Sequence, residues 1–71
     1  MKRNQLSARE YEIMLLVSAG KYNKEIADAL NCEEGTIKKH LQHIFMKLRV
    51  QNRTEASIRF MNITGKLIIA G

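Results

Sequence analysis

Apolar residues recur at helical spacing through most of the chain, most clearly between residues 33 and 48. At about 100° per residue, a group of apolar residues there shares one narrow arc of a helical projection: Ile37, Leu41, Ile44, Phe45 and Leu48. Another group projects in the opposite direction: Gly35, Lys39, Gln42 and Met46. This pattern predicts one long amphipathic helix with an apolar inner face and a polar outer face.

Capping residues set the bounds of two earlier helices. Ser7 followed three residues later by Glu10 has the spacing of a capping box, which predicts a first helix that begins there. Gly20 ends this helix, because glycine readily takes the left-handed conformation. Asn23 is a favourable cap for a short second helix over residues 24–30.

A tight turn and a last helix complete the pattern. Asn31 tolerates the left-handed conformation well, so we expect it to be the pivot of the turn over residues 31–33. Asn52 and Glu55 repeat the capping-box spacing and open a fourth helix that ends near Asn62. The sequence therefore predicts an all-α fold, a four-helix bundle in which helices two and three form a helix-turn-helix.

Length and composition indicate one small domain. The chain has 71 residues, of which 45% are hydrophobic, enough for a compact core. We assign residues 1–5 to a flexible arm or linker end and residues 6–71 to the domain. A single cysteine excludes an internal disulfide. Because the chain has neither a long apolar run nor a signal-peptide pattern, we expect a soluble, cytoplasmic protein.

The charge of the chain favours an anionic partner. The net charge is +5, and the stretch from residue 35 to residue 54 carries five Lys or Arg, two His and no carboxylate. A merely solvated helix face usually mixes both signs, so this distribution favours nucleic acid. An anionic membrane surface is a weaker alternative, since Met46 is the only apolar residue on the outer face of the long helix.

Several short motifs stand at fixed distances along the chain: Leu6-Ser7-x-Arg9-Glu10-x-Glu12-Ile13-Met14, Gly20, Asn23-Lys24-Glu25-Ile26-Ala27, Glu34-Gly35-Thr36-Ile37-Lys38-x-His40-Leu41, Ile44, Lys47-Leu48 and Val50-x-Asn52-Arg53-Thr54-Glu55-Ala56. Together they resemble the LuxR-type helix-turn-helix domain, the DNA-binding output module of quorum-sensing regulators and of many bacterial two-component response regulators. The resemblance extends from Leu6 to about Ile68. It is specific because the motif blocks stand at the family's spacing.

The resemblance implies roles for individual residues, with residues 34–48 as the recognition helix. The family's base-facing positions fall on Lys38, Lys39 and Gln42. Lysine donates to guanine O6 and N7, and glutamine pairs with adenine N6 and N7. The family's phosphate contacts fall on Lys24, Thr36, His40 and Lys47. Its dimerisation helix is the fourth, where this chain has surplus apolar residues: Ile58, Phe60 and Met61.

The implied function is sequence-specific binding of double-stranded DNA for transcription regulation in a bacterium, as a homodimer on DNA. Two residues depart from the family pattern. Glu33 stands where the family usually has a Ser or Thr cap, and Arg49 stands where it usually has Gly. Arg49 therefore implies either a different end to the recognition helix or a small left-handed backbone penalty.

Other functions have less support. A protein-interaction module would dock RNA polymerase or an antagonist through Leu15, Met46 and the apolar tail at residues 67–69. Arg53 serves either DNA binding or an ion-pair group with three residues of the first helix: Arg9, Glu10 and Glu12. No pairing of nucleophile and base suggests an enzyme. His40 and His43 have only Cys32 as a thiol partner, so we expect neither a metal nor a cofactor.

Overall fold

The computed structural model describes residues 6–65, which form helices joined by short turns, without a strand in that range. The helices are α1 Ala8–Ser18, α2 Asn23–Leu30, α3 Glu34–Leu48 and α4 Arg53–Thr64. The predicted all-α fold is confirmed. The arm expected at residues 1–5 and the apolar tail at residues 67–69 lie outside the described part of the chain.

The start of α1 follows the sequence prediction closely. The Ser7 hydroxyl accepts from the Glu10 backbone N–H at 3.1 Å, and the Glu10 carboxylate accepts from the Ser7 backbone N–H at 2.9 Å. This is the predicted capping box, which satisfies two backbone donors at the helix start. Gly20, just after the helix, has φ of +89°, the left-handed conformation expected of it.

The predicted cap of α2 is wrong by one residue. Tyr22 occupies the cap position, and Asn23 is the first helical residue. The Tyr22 backbone N–H is satisfied by the Glu25 carboxylate at 2.8 Å. The Asn23 side chain instead accepts a hydrogen bond from the Arg53 guanidinium at 2.7 Å, a partner far along the sequence.

Both ends of α3 use residues in unusual roles. Asn31, the pivot of the preceding turn, has φ of +57°, as predicted. Glu33 occupies the cap position of α3 but makes no side-chain capping hydrogen bond. Arg49 follows α3 with φ of +60°, so Arg49 takes the left-handed conformation, one of the two alternatives that the sequence left open. For a non-glycine residue this conformation costs about 1–2 kcal/mol.

The last helix runs slightly further than the sequence predicted. The Asn52 side chain caps it by accepting from the Glu55 backbone N–H at 2.9 Å. The Glu55 carboxylate accepts from the Gln51 N–H at 2.9 Å and not from Asn52, so the capping box is only half formed. The helix ends at Thr64, beyond the predicted Asn62, and Gly65 follows it with φ of +76°.

The core is built around α3, which packs against each of the other three helices. Its buried residues are Ile37, Leu41, Ile44 and Leu48. They match the predicted apolar arc except for Phe45, which is only half-buried. The other helices contribute Ile13, Met14, Val17, Ile26, Ala27, Ala56 and Phe60. Because the apolar arc faces the core, the basic side of α3 is held toward the outside. Among the described residues, no helix has the length and apolarity needed to cross a bilayer.

Candidate nucleic-acid interface

The outer face of α3 presents the three predicted base-reading side chains to solvent. Lys38, Lys39 and Gln42 are all exposed. Lysine offers only donors, whereas the glutamine amide offers both a donor and an acceptor. The face therefore combines positive charge with a group that can form a bidentate pair with a base edge.

Two shallow open hollows flank these side chains. Lys39 borders the first, together with residues on the start and one side of α3: Glu33, Gly35, Thr36, His40 and His43. Lys38 and Gln42 border the second, between α3 and the starts of α2 and α4: its other residues are Asn23, Leu41, Phe45 and Arg53. The predicted residues of α3 thus border two hollows: Thr36, Lys39 and His40 the first, and Lys38 and Gln42 the second.

Three of the predicted phosphate-binding residues have no side-chain partner within residues 6–65. Lys24, in the first turn of α2, and Thr36, in the first turn of α3, are exposed, and His40 is half-buried. The starts of α2 and α3 also carry backbone N–H groups without helical partners, which favour anions. Lys24 and Thr36 are therefore exposed at helix starts, and the phosphate roles of Lys24, Thr36 and His40 stay predictions.

Lys47 has a partner within the chain. Its ammonium nitrogen lies 2.7 Å from the Glu10 carboxylate of α1. The Glu10 side chain is only 7% exposed, whereas that of Lys47 is 42% exposed. Sequence reasoning missed this contact because 37 residues separate the two. The phosphate role of Lys47 stays a prediction. A phosphate bound there would compete with the Glu10 carboxylate for the Lys47 ammonium group.

The surroundings of Glu10 keep it ionised. Burial alone would raise the pKa of this carboxyl. The Lys47 hydrogen bond, the Ser7 backbone hydrogen bond and the Lys47 charge act in the opposite direction and lower the pKa below its ordinary value of 4.5. The result is an ion pair that links α1 to the last turn of α3.

Arg53 joins the starts of α2 and α4. Its guanidinium donates to the Asn23 side chain and to the Lys21 carbonyl oxygen, each at 2.7 Å. The alternative of an ion pair between Arg53 and the first helix is therefore wrong. Arg9 pairs with Glu12 inside α1 at 3.4 Å and also does not reach α4. Arg53 thus holds the segment before Lys24 in place.

The α4 surface differs from the predicted dimerisation patch at one residue. Ile58 is 54% exposed and Met61 is half-buried, so both are accessible to another protomer. Phe60 is 2% exposed and packs edge-on against the Tyr11 ring, with centroids 5.1 Å apart. It lies one turn after the buried Ala56 and belongs to the core, so its assignment to a dimer contact is wrong.

The cysteine and the histidines lie in different surroundings. Cys32 is half-buried and packs against the core, and His43 is exposed. Within residues 6–65, no three His, Cys, Asp or Glu side chains lie together in a way that would hold a metal ion.

The fold and this surface define a class of protein, a helix-turn-helix domain in which α2 braces a basic α3. Residues 4–60 match the family described as bacterial regulatory proteins, luxR family. This match covers most of the chain, and the chain therefore belongs to the luxR family, as its motifs suggested. The chain is thus a DNA-binding domain of the kind found in transcription regulators.

Several bacterial regulators are similar to this chain. YhjB of Escherichia coli (strain K12), whose name contains the words HTH-type transcriptional regulator, is 48% identical over 59 residues, covering 83% of this chain and 29% of YhjB. The response regulator protein VraR of Staphylococcus aureus (strain Mu3 / ATCC 700698) is 47% identical over 53 residues, covering 75% of this chain and 25% of VraR. The nitrate/nitrite response regulator protein NarL of Escherichia coli (strain K12) is 40% identical over 55 residues, covering 78% of this chain and 26% of NarL. This chain spans less than a third of the length of each.

Proposed function

We propose that this chain binds double-stranded DNA in a sequence-specific way, with α3 in the major groove, and thereby regulates transcription. The observation that carries this proposal is the outer face of α3. Lys38, Lys39 and Gln42 are exposed there, and the helix contains no Asp or Glu from Gly35 to its end. A major groove about 12 Å wide admits one α-helix. The packing of α2 against α3 supports the same geometry, since the first helix of a helix-turn-helix braces the second.

The contacts divide into those that position the domain and those that read sequence. Lys24, Thr36, His40 and the free N–H groups at the helix starts bind phosphates and set the register. Lys38 and Lys39 donate to guanine, and Gln42 pairs with adenine. Lys47 adds positive charge only to the extent that Glu10 leaves it available. Arg53 acts indirectly, by holding the start of α2.

The protein acts as a homodimer on DNA, and α4 supplies the contact. Ile58 supports this, because an isoleucine that is 54% exposed lies in a hollow lined by residues from both sides of the α3–α4 turn: Arg49, Val50, Glu55, Arg59 and Asn62. The half-buried Met61 lies one turn further along the same helix. The apolar area is small, so we expect pairing to depend on DNA.

The test is one round of selection from a pool of random duplexes, followed by fluorescence anisotropy at two salt concentrations. We expect a short, partly palindromic sequence to be enriched and its binding to weaken steeply with salt. Lys39→Ala should cost about 1–3 kcal/mol on the enriched site and relax specificity at one base pair. Lys24→Ala, the matched control, should weaken binding to all duplexes alike and lower the salt slope by about one.

A second candidate is docking of a transcription partner such as RNA polymerase. The exposed apolar side chains favour it, since Leu15 is 42% and Met46 is 74% exposed. Weak binding that is indifferent to sequence would contradict the DNA-reading proposal and favour docking. A uniform loss with Lys39→Ala on every duplex would show that Lys39 touches only phosphate.

A further inference from the structure

Met46 occupies an unexpected place on the surface of the protein. It is a large apolar side chain with 74% of its surface exposed, in the last turn of α3. It makes no contribution to the core, which α3 forms with its opposite face. A single exposed apolar residue is ordinary on a protein surface. Its position relative to the proposed base-reading residues is what distinguishes Met46.

Helical geometry puts Met46 between two of those residues. At about 100° per residue, it lies roughly 20° from Lys39 and roughly 40° from Gln42 around the helix axis, on the sector between them. Around the helix axis, Met46 thus lies in the middle of the outward face, one turn beyond Gln42. If α3 enters the major groove as proposed, this side chain enters with Lys39 and Gln42.

The major-groove edge of DNA offers one apolar group, the C5-methyl of thymine. We propose that Met46 contacts this methyl group and is a specificity-determining residue of the half-site, an inference that rests on the proposed function. A flexible thioether suits the contact because it can adapt to the position of the methyl. Along the axis, Met46 lies about 10 Å beyond Lys39, at 1.5 Å per residue. At about 3.4 Å per pair, this distance places the thymine about three base pairs from the base that Lys39 contacts.

Deoxyuridine tests this contact cleanly, because it lacks the methyl group and keeps the hydrogen-bonding edge of thymine. Each thymine of the enriched operator is replaced singly, and Kd is measured by anisotropy. The wild-type protein should lose about fourfold in affinity at one thymine per half-site, the worth of one buried methyl. Met46→Gln, which is similar in length but polar, should bind the thymine and deoxyuridine duplexes equally at that position.

The matched control is Leu15→Gln, which changes an exposed apolar residue of α1 that lies outside α3. It should retain the full loss at the sensitive thymine, and thermal melting of both variants checks their folding. An equal deoxyuridine penalty in Met46→Gln and wild type, or no sensitive thymine at all, would overturn the inference while leaving DNA reading intact. Failure to enrich any sequence would overturn the proposed function, and this inference with it.

Discussion

At the scale of single residues, Glu10 has two structural roles, one of which is its ion pair with Lys47. Glu10 also completes the capping box of α1, so one carboxylate serves a helix start and a contact between helices. Such a buried carboxylate is stable only while its partners remain. Lys47 was predicted from the sequence as a phosphate ligand, and its pairing explains why its contribution to DNA binding should be smaller than that of Lys24.

This pair makes the stability of the protein depend on pH. The pKa of Glu10 is lower in the folded chain than in the unfolded chain, so its stabilising effect is complete above the ordinary value of 4.5 and is lost as pH falls through the lowered pKa. Lys47→Met should reduce the free energy of unfolding at pH 7 by about 1–2 kcal/mol, since solvent screens the half-exposed pair. The deficit should shrink in acid, where Glu10 becomes protonated. Urea unfolding at pH 7 and at an acid pH below the lowered pKa of Glu10 measures both effects.

Arg9→Met is the control for that experiment. It removes the Arg9–Glu12 pair, whose side chains are 47% and 56% exposed. Exposed pairs of this kind contribute little, so the variant should match the wild-type stability to within about 0.5 kcal/mol at both pH values. If Lys47→Met were equally silent at pH 7, the Glu10–Lys47 pair would have no stabilising role.

At the scale of helices, the sequence predicted what local contacts decide and missed what distant contacts decide. The Ser7–Glu10 capping box and the left-handed Asn31 formed as expected, because each depends on neighbours within a few residues. Asn23 does not cap α2 as expected, and its side chain instead accepts a hydrogen bond from the guanidinium of Arg53, 30 residues away. The register of α3 was predictable because its apolar arc is continuous, and the face it leaves outside follows from that arc.

The predicted site shows the same division. The exposed positions of Lys38, Lys39 and Gln42 follow from the periodicity of α3 alone. Phe60 was misassigned because an apolar pattern does not reveal which of several apolar residues of α4 reaches the core. Arg53 had a charge signal but no signal for its partners, since backbone carbonyl oxygens such as that of Lys21 are not visible in a sequence pattern.

Gly35 in the first turn of α3 offers a prediction about the stability of that helix. Its φ is not positive, and a Cβ added there would meet no atom within 4 Å. Neither backbone conformation nor packing therefore requires glycine. Gly35→Ala should stabilise the free protein by up to about 1 kcal/mol, because alanine loses less conformational entropy in a helix.

The matched control is Gly20→Ala. The space around Gly20 is equally open, but its φ is +89°, which an L side chain rarely adopts. This variant should lose about 1–2 kcal/mol, so the two substitutions should shift the urea midpoint in opposite directions. A loss of stability in Gly35→Ala comparable to that in Gly20→Ala would mean that the start of α3 is strained.

At the scale of the whole molecule, size and symmetry limit how two copies sit on DNA. The described chain measures 32 × 29 × 21 Å. Half-sites one helical turn apart are separated by about 34 Å. Two copies at that spacing therefore meet only at their margins, which agrees with a small contact such as the one proposed around Ile58. A contact of this size stabilises a pair mainly when DNA already holds both copies close together.

Ile58→Glu tests this arrangement. Binding to a duplex with one half-site should remain close to wild type, because Ile58 lies on α4, away from the outer face of α3. On a duplex with two half-sites the variant should lose at least about tenfold in affinity, since two buried carboxylates would face each other across the contact. Ile63→Glu is the control on the same helix, 47% exposed but about 140° around it. Equal affinity losses by both variants on the two-site duplex, or a loss by Ile58→Glu on the single site, would place the dimer contact elsewhere.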